Sequence, residues 1–373
     1  MKITRIELFP VRSPLAAPLR WGSFEVSEKS CILVRVGTDE GVVGVGECGL
    51  SAQFYPQVTA TMDVLRPLLL GQDPLCVGRL WQSMFLATHK WGRRGTETYA
   101  VSGVDIALWD IVGKVAELPI CTLLGKVRES VPAYYAPDLK SAMAIVAESE
   151  TAVAAGFRAI KLRTGLGLEE DLRIVREVRK AVGDATVLMV DPNMAYDLKM
   201  GLRMARAFSE FDVYWIEEPV LTHSLPAYID ALRAVSEAVS YYVAGGESLF
   251  TKYETIQLLG AGAVDVVQPD CTTVGGITEA RHIASLAEAL GVQFAPHVAC
   301  SSIATVGLAA AMHVLGSCAN ADFAEFDPYM CPLREEITRT PIMPVGGELL
   351  VPTGPGLGLE IDWKAVAKYG VKA

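Results

Sequence analysis

The chain is short of positive charge. Lys plus Arg number 33 against 43 Asp plus Glu, a formal net charge of -10. No basic stripe runs along it, which excludes nucleic acid as an expected partner. Paired cysteines are missing too. The eight cysteines are scattered, none forms a Cys-x-x-Cys pair, and most lie in apolar runs. That suits reduced, buried thiols in a reducing compartment. A signal-peptide core is absent, because Lys2, Arg5 and Glu7 interrupt the N-terminus. So is a membrane-length apolar run. The longest weakly polar stretch, 300–321, is rich in Ala, Ser and Gly and is broken by His313. It reads as a packed barrel helix rather than a span. A soluble, cytoplasmic protein with no membrane partner is therefore expected.

What is present is a core-forming chain with a repeat in it. At 51% hydrophobic and 20% charged over 373 residues, it is globular and long enough for two domains. From Lys161 to Glu325, short apolar runs end in polar residues. Lys161 and Arg163 close the run 157–162. Asp191 and Asn193 close 187–190, and Glu217 closes 213–216. Glu247 follows 241–244, Asp270 closes 264–267, His297 closes 292–295, and Glu325 follows 321–324. Most gaps are charged and helix-favouring, as in 168–182 and 278–290. Strand, helix, strand at this pitch is the (β/α) unit. With 131–135 as a first strand the count reaches the eight that close such a barrel. The fold class is α/β, a (β/α)8-type, TIM-like barrel, and its active site belongs at the C-terminal strand ends.

Ahead of the barrel, residues 1–128 predict a small α+β capping domain. Alternating residues open a strand at Ile3, Ile6 and Leu8, with further strands at 31–36 and 41–47. Between the first two, 12–28 is polar and broken by prolines, with Arg20, Trp21 and Gly22 following Pro18, and predicts a mobile loop. A second loop, 47–55, carries Phe54, either a lid that touches substrate or a packed anchor. Helical periodicity covers 58–70 and 101–115. Between them His-Lys-Trp-Gly-Arg-Arg-Gly at 89–95 is a solvated loop or, through Lys90 and Arg93, an anion contact. The barrel is expected over 129–327. The proline- and glycine-marked tail 328–373, with one more strand at 346–351, is expected to return to the first domain.

The strand ends carry the chemistry. Asp191, Glu217 and Glu247 close three successive strands, and neighbouring strands lie ~4.8 Å apart. Three unpaired acids that close would repel and raise one another's pKa values. A hard dication resolves this, and an all-oxygen set suits Mg²⁺ or Mn²⁺ better than zinc. Ion pairing between strands is the alternative. Asp270 beside His297 would fix the imidazole tautomer and raise its basicity, making His297 a general acid/base. Lys161 and Arg163 are two apart and so share one strand face. Desolvation and the cationic neighbour Arg163 would lower the Lys161 pKa toward that of a base, whereas Arg163 itself stays protonated.

Several segments together resemble the enolase superfamily, within it the mandelate racemase subgroup. They are Val-Asp-Pro-Asn at 190–193, Trp-Ile-Glu-Glu-Pro at 215–219, Gly-Gly-Glu-Ser at 245–248, Gln-Pro-Asp at 268–270, Pro-His at 296–297 and Ala-Glu-Phe-Asp at 324–327. Gly-Val-Asp-Ile-Ala-Leu-Trp-Asp-Ile-Val-Gly at 103–113 resembles the family's capping-domain helix. The resemblance spans essentially the whole chain and implies a modified (β/α)7β barrel whose cap is completed by the C-terminal tail. It implies Mg²⁺ on Asp191, Glu217 and Glu247, and an Asp270–His297 dyad that moves a proton on one face of a carboxylate substrate. Asn193 would contact that substrate, and Glu325 would hydrogen-bond its carboxylate as an ene-diolate forms. Trp21, Phe54, Lys90 and Arg93 would set specificity from the cap. A closed homo-oligomer is also implied.

One position departs from the family's pattern. Members that work on both faces carry Lys-x-Lys at the end of strand two, and here the second lysine is Arg163. Either Lys161 is the acid/base, or that face has none and His297 carries most of the proton transfer. Racemisation needs competent groups on both faces, whereas β-elimination can run on His297. The expected activity is thus acid-sugar dehydration to a 2-keto-3-deoxy acid. Racemase, epimerase or cycloisomerase activity is the alternative, and a non-catalytic member the remote one.

Overall fold

The computed structural model describes residues 1–21, 24–49, 52–298 and 305–371. The N-terminal sheet is antiparallel, in the order β1 (Ile3–Trp21), β2 (Phe24–Thr38), β3 (Val43–Cys48). Helices Tyr55–Leu69, Val77–Thr88 and Thr96–Ala116 follow. They bury a core of Ile32, Val34, Met62, Leu65, Leu80, Val104 and Leu108 against the sheet. Helix Thr96–Ala116 lies very close to β3. A Cβ on Gly46 would stand 1.8 Å from the Gly103 carbonyl oxygen, so only glycine permits this approach.

The loop expected over 12–28 is a correction. Those residues extend β1 and β2 into a long hairpin, paired Arg12 to Ser30 and onward to Trp21 against Phe24. Prolines misled the reading. β1 is a sheet edge, where a missing N–H is tolerated, and the register shift falls between Pro14 and Leu19. The hairpin leans on the barrel. Leu139 N–H donates to the Arg20 carbonyl at 2.9 Å, and Lys29 pairs with Asp327.

Among the described residues eight parallel strands follow: β4 (Ser130–Tyr135), β5 (Ala159–Arg163), β6 (Val187–Asp191), β7 (Val213–Glu217), β8 (Tyr242–Gly245), β9 (Val266–Val267), β10 (Gln293–Phe294) and β11 (Ala324–Phe326). Their order is β10-β9-β8-β7-β6-β5-β4-β11. The sheet curls until its ends meet, where Phe294 N–H donates to the Asn320 carbonyl at 2.8 Å. This is the TIM-like barrel. Its outward residues, such as Ile160, Val190, Ile216 and Val243, pack with the surrounding helices in the large core. Its inward residues form a separate plug of Tyr134, Ala159, Met189, Trp215, Ala244, Val266 and Ala295. Strand side chains alternate with period two. Two residues beyond five of these plug members, the chain therefore presents an inward side chain at the mouth: Lys161 after Ala159, Asp191 after Met189, Glu217 after Trp215, Gln268 after Val266, His297 after Ala295.

The tail touches both units. β12 (Glu348–Leu350) pairs antiparallel with β4. Beyond it, helix Trp363–Tyr369 reaches the cap: Phe9 and Trp363 stack with centroids 5.0 Å apart, and Val371 N–H donates to the Pro10 carbonyl at 2.9 Å. Among the described residues no helix is long and apolar enough to cross a membrane.

Candidate active site

The mouth of the barrel is crowded with buried charge. Lys161, on β5, is fully buried, and its Nζ lies 3.0 Å from Glu217 Oε1, 2.9 Å from Glu325 Oε1 and 3.4 Å from Asp191 Oδ2. The Tyr134 ring lies beside the ammonium, 5.2 Å to its centroid. Glu217 also accepts from Gln268 Nε2 at 2.8 Å. Gln268 is not among the site residues expected from the sequence. It sits two before Asp270 in Gln-Pro-Asp and, by strand alternation, on the same face, which was the available signal.

Arg163 and Asn193 close the mouth at β5 and β6. Arg163 Nη1 donates to Asn193 Oδ1 at 3.2 Å and lies 3.8 Å from Asp191 Oδ2. Asn193 folds back on Asp191, its backbone N–H donating to Oδ1 at 2.9 Å and Nδ2 to Oδ2 at 3.1 Å, in a left-handed backbone conformation with φ 47°. Across the site stands the imidazole. His297 Nδ1 is 2.9 Å from Asp270 Oδ2, and His297 Nε2 is 3.5 Å from Glu247 Oε2. Val298 N–H donates to Glu325 Oε2 at 2.9 Å, tying the segment after β10 to β11.

The charges sort unevenly. Burial penalises the Lys161 ammonium, but Glu217 and Glu325 outweigh it and raise its pKa well above the ordinary value. This corrects the expectation that Arg163 would make Lys161 more acidic. The guanidinium leans on Asp191 and Asn193, while carboxylates ring the lysine. Burial and the nearby Asp191 push the Glu217 carboxyl up to about 8. Burial also opposes charge on Glu325, yet Lys161 and His297 together bring it down to about 2. His297 is raised well above its ordinary value: burial works against the imidazolium, but Glu247, Asp270 and Glu325 prevail.

Three of the four mouth carboxylates, Asp191, Glu217 and Glu325, thus share one ammonium, and Glu247 faces His297. Among the described residues no three of His, Cys, Asp and Glu stand in finished ligand geometry, since Lys161 holds two of the candidate ligands and His297 the third. The donor set nevertheless fits a hard dication. It is all carboxylate oxygen, with Asp191 and Glu217 buried and Glu247 partly so, and together with Glu325 the mouth carboxylates outnumber the Lys161, Arg163 and His297 that face them.

Contacts from the cap are fewer. Arg94 is the basic residue of its loop that crosses to the barrel, 3.1 Å from Glu254 Oε1 and over the Phe250 ring. Arg93 instead donates to the His89 carbonyl beside it at 2.9 Å, and Lys90 is exposed in the same turn. Phe54 ends a short 3-10 turn and is 38% exposed. Trp21 ends β1, and its side chain lies outside the described residues.

The family model for the mandelate racemase / muconate lactonizing enzyme N-terminal domain matches residues 3–125, and the enolase C-terminal domain-like model matches 144–365. A D-galactarolactone cycloisomerase of Agrobacterium fabrum is 35% identical over 99% of both chains. An arabinonate dehydratase of Saccharolobus solfataricus is 33% identical, covering 92% of this chain and 91% of its own. Among solved structures, a 3,6-anhydro-D-galactonate cycloisomerase from Zobellia galactanivorans superposes over 100% of both chains with a TM-score of 0.90 and 32% identity. A racemase from Streptomyces coelicolor with bound magnesium covers 99% of this chain and 100% of its own, with a TM-score of 0.88 and 31% identity.

Proposed function

This chain belongs to the mandelate racemase / muconate lactonizing enzyme family, and from that premise we propose that it catalyses Mg²⁺-dependent β-elimination on a sugar acid, as an acid-sugar dehydratase. The observation that carries the reading is the pairing at one mouth of a carboxylate cluster with a buttressed imidazole: Asp191, Glu217 and Glu325 around Lys161, and His297 held by Asp270. Asp191, Glu217 and Glu247 would hold the Mg²⁺, which when bound would supply positive charge to the substrate carboxylate and so acidify the α-carbon.

The chain's own groups do the rest. Glu325, with Lys161, faces the substrate carboxylate end of the mouth. Arg163 and Asn193 form a donor pair suited to substrate hydroxyls or a carboxylate. Asp270 accepts from His297 Nδ1, which leaves Nε2 toward the site as the atom that takes or gives a proton. The α-proton leaves to His297, and the C–H electron pair forms the ene-diolate. Its collapse breaks the β-carbon–oxygen bond, and His297 protonates the departing hydroxyl. The enol then tautomerises to a 2-keto-3-deoxy acid. Arg163 stays protonated and is no base, which favours elimination over a racemisation that needs exchange on both faces.

A second reading has its own support in the relatives named as cycloisomerases. There the oxygen expelled would be a ring oxygen rather than a hydroxyl, with the same α-proton step. A panel of aldonates, aldarates, their lactones and anhydro acids, incubated with Mg²⁺ and analysed by mass, separates the two. A keto acid lighter by one water supports the dehydratase. A keto acid of unchanged mass supports the cycloisomerase. Recovered substrate carrying α-deuterium from D₂O with inverted configuration would overturn both in favour of a racemase.

A further inference from the structure

The dyad does not end at Asp270. Asp270 Oδ2 faces His297 Nδ1 at 2.9 Å, and its other oxygen, Oδ1, accepts two hydrogen bonds from one residue: Thr272 N–H at 2.7 Å and Thr272 Oγ1 at 2.6 Å. Thr272 is completely buried. A carboxylate gripped at one oxygen by two donors on the same residue has its plane fixed, and with it the direction in which the other oxygen meets the imidazole.

Thr272 is in turn held by the cap. Gly49 N–H, just after β3, donates to the Thr272 carbonyl at 3.0 Å. A Cβ on Gly49 would come 2.3 Å from Thr272 Oγ1, so the cap is seated directly on the hydroxyl that grips Asp270. The rest of the same loop is clamped from the cap as well. Trp81 Nε1 donates to the Gly275 carbonyl at 2.8 Å, and Gly275 N–H donates to Ser102 Oγ at 2.9 Å. Asp105 accepts from Thr278 N–H at 3.0 Å and from Thr278 Oγ1 at 2.6 Å, and Trp109 Nε1 donates to that hydroxyl at 2.9 Å. These bonds join the cap to the barrel loop that begins at Asp270 and to the first turn of the helix that follows it, Gly276–Ala289.

We propose that Thr272 is a positioning residue for the Asp270–His297 pair, and that the capping domain fixes the pair by seating Gly49 on Thr272. The inference rests on the dyad assigned above but not on which sugar acid is the substrate. The cap thereby acts on the base from behind, apart from any role of its loops at the mouth.

The test uses the full chain with no substrate. The downfield imidazole Nδ1 proton of His297 is observed by NMR after ¹⁵N-histidine labelling and assigned by its loss in His297→Asn. In Thr272→Val, which keeps the shape and removes the hydroxyl, that proton is expected to shift upfield or broaden away. Thr272→Ser restores it. Gly49→Ala, which leaves Thr272 chemically intact, reproduces the change. On a substrate that turns over, Thr272→Val is expected to lower kcat roughly 10- to 100-fold, the range for residues that orient a ligating or reacting imidazole, with KM little changed and Thr272→Ser recovering kcat. A wild-type His297 resonance in Thr272→Val, or no recovery in Thr272→Ser, overturns the positioning role. A wild-type resonance in Gly49→Ala overturns the part assigned to the cap. Because the resonance is read without turnover, a wrong reaction class would leave this result intact and show itself only in the substrate panel.

Discussion

Two sides of one barrel mouth each hold a nitrogen base, and they treat it differently. On the β10 side His297 is hydrogen-bonded to Asp270 behind it, and its Nε2 points forward, 3.5 Å from Glu247. On the β5 side Lys161 is surrounded by Glu217, Glu325 and Asp191 within 3.4 Å, with Arg163 above it. Both groups are raised in pKa. They start from different places: an imidazole's ordinary value of ~6.5 lies close to neutral pH, whereas an ammonium's ~10.4 already lies far above it. A backing carboxylate tunes a base, and a ring of them turns a base into a counter-ion. The asymmetry favours chemistry led from one face.

The sharpest way to break that comparison is to remove the imidazole. His297→Asn is expected to lower kcat by roughly 10²- to 10⁴-fold, the range for a lost general acid/base, measured as keto-acid formation. Equal losses from Lys161→Ala and His297→Asn would put the two faces on a par and end the argument for asymmetry.

The counter-ion role gives the next largest effect. Lys161→Met leaves the mouth carboxylates without their buried ammonium, and breaking such a pair costs roughly 3–5 kcal/mol. In the presence of EDTA the variant should unfold at distinctly lower denaturant than the wild type. Saturating Mg²⁺ should recover about 3 kcal/mol at a hundredfold excess over Kd. Failure of Mg²⁺ to raise the stability of either Lys161→Met or the wild type above its value in EDTA would show that the cluster does not take a cation.

How much of this was legible in sequence follows the same physics. The barrel was readable because each strand announces itself as a short apolar run with a polar stop, and alternation then aims the stop inward; Asp191, Glu217 and His297 fell out of that rule. The hairpin was not. Its evidence is hydrogen bonding between 12–20 and 25–30, and the prolines that an edge strand tolerates look, in one dimension, like a break. The state of Lys161 was misjudged for a related reason. Its sequence neighbour is Arg163, but its spatial neighbours come from β6, β7 and β11. Thr272 was hidden altogether, since only the folded chain brings Gly49 onto it.

A second buried histidine sharpens the contrast between partner and burial. His313 sits in helix Val306–Leu315 with its Nδ1 accepting Cys121 N–H at 3.2 Å, and burial pushes its pKa down to about 4. The sign follows from proton counting. Between the unfolded value near ~6.5 and about 4 the unfolded chain binds a proton that the folded chain refuses, so stability falls as pH drops through that window and levels off below it. The full difference is about 3 kcal/mol. His313→Asn should flatten this slope, whereas His297→Asn should leave the His313 contribution in place. An unchanged acid limb in His313→Asn would assign the slope to other groups.

The smallest expected change concerns Arg163. Its guanidinium is donor only, stays protonated, and lies against Asn193 and Asp191. Arg163→Lys puts at that place an amine whose pKa responds to its surroundings, two residues along the same strand face from Lys161. A modest gain is expected in α-proton exchange on the β5 face, seen as deuterium entering recovered substrate from D₂O, with elimination slowed less than tenfold because His297 is untouched. If the variant loses elimination as completely as His297→Asn does, the guanidinium is holding substrate for the chemical step, and the two faces of the mouth divide the work between binding and proton transfer rather than between an active base and a silent one.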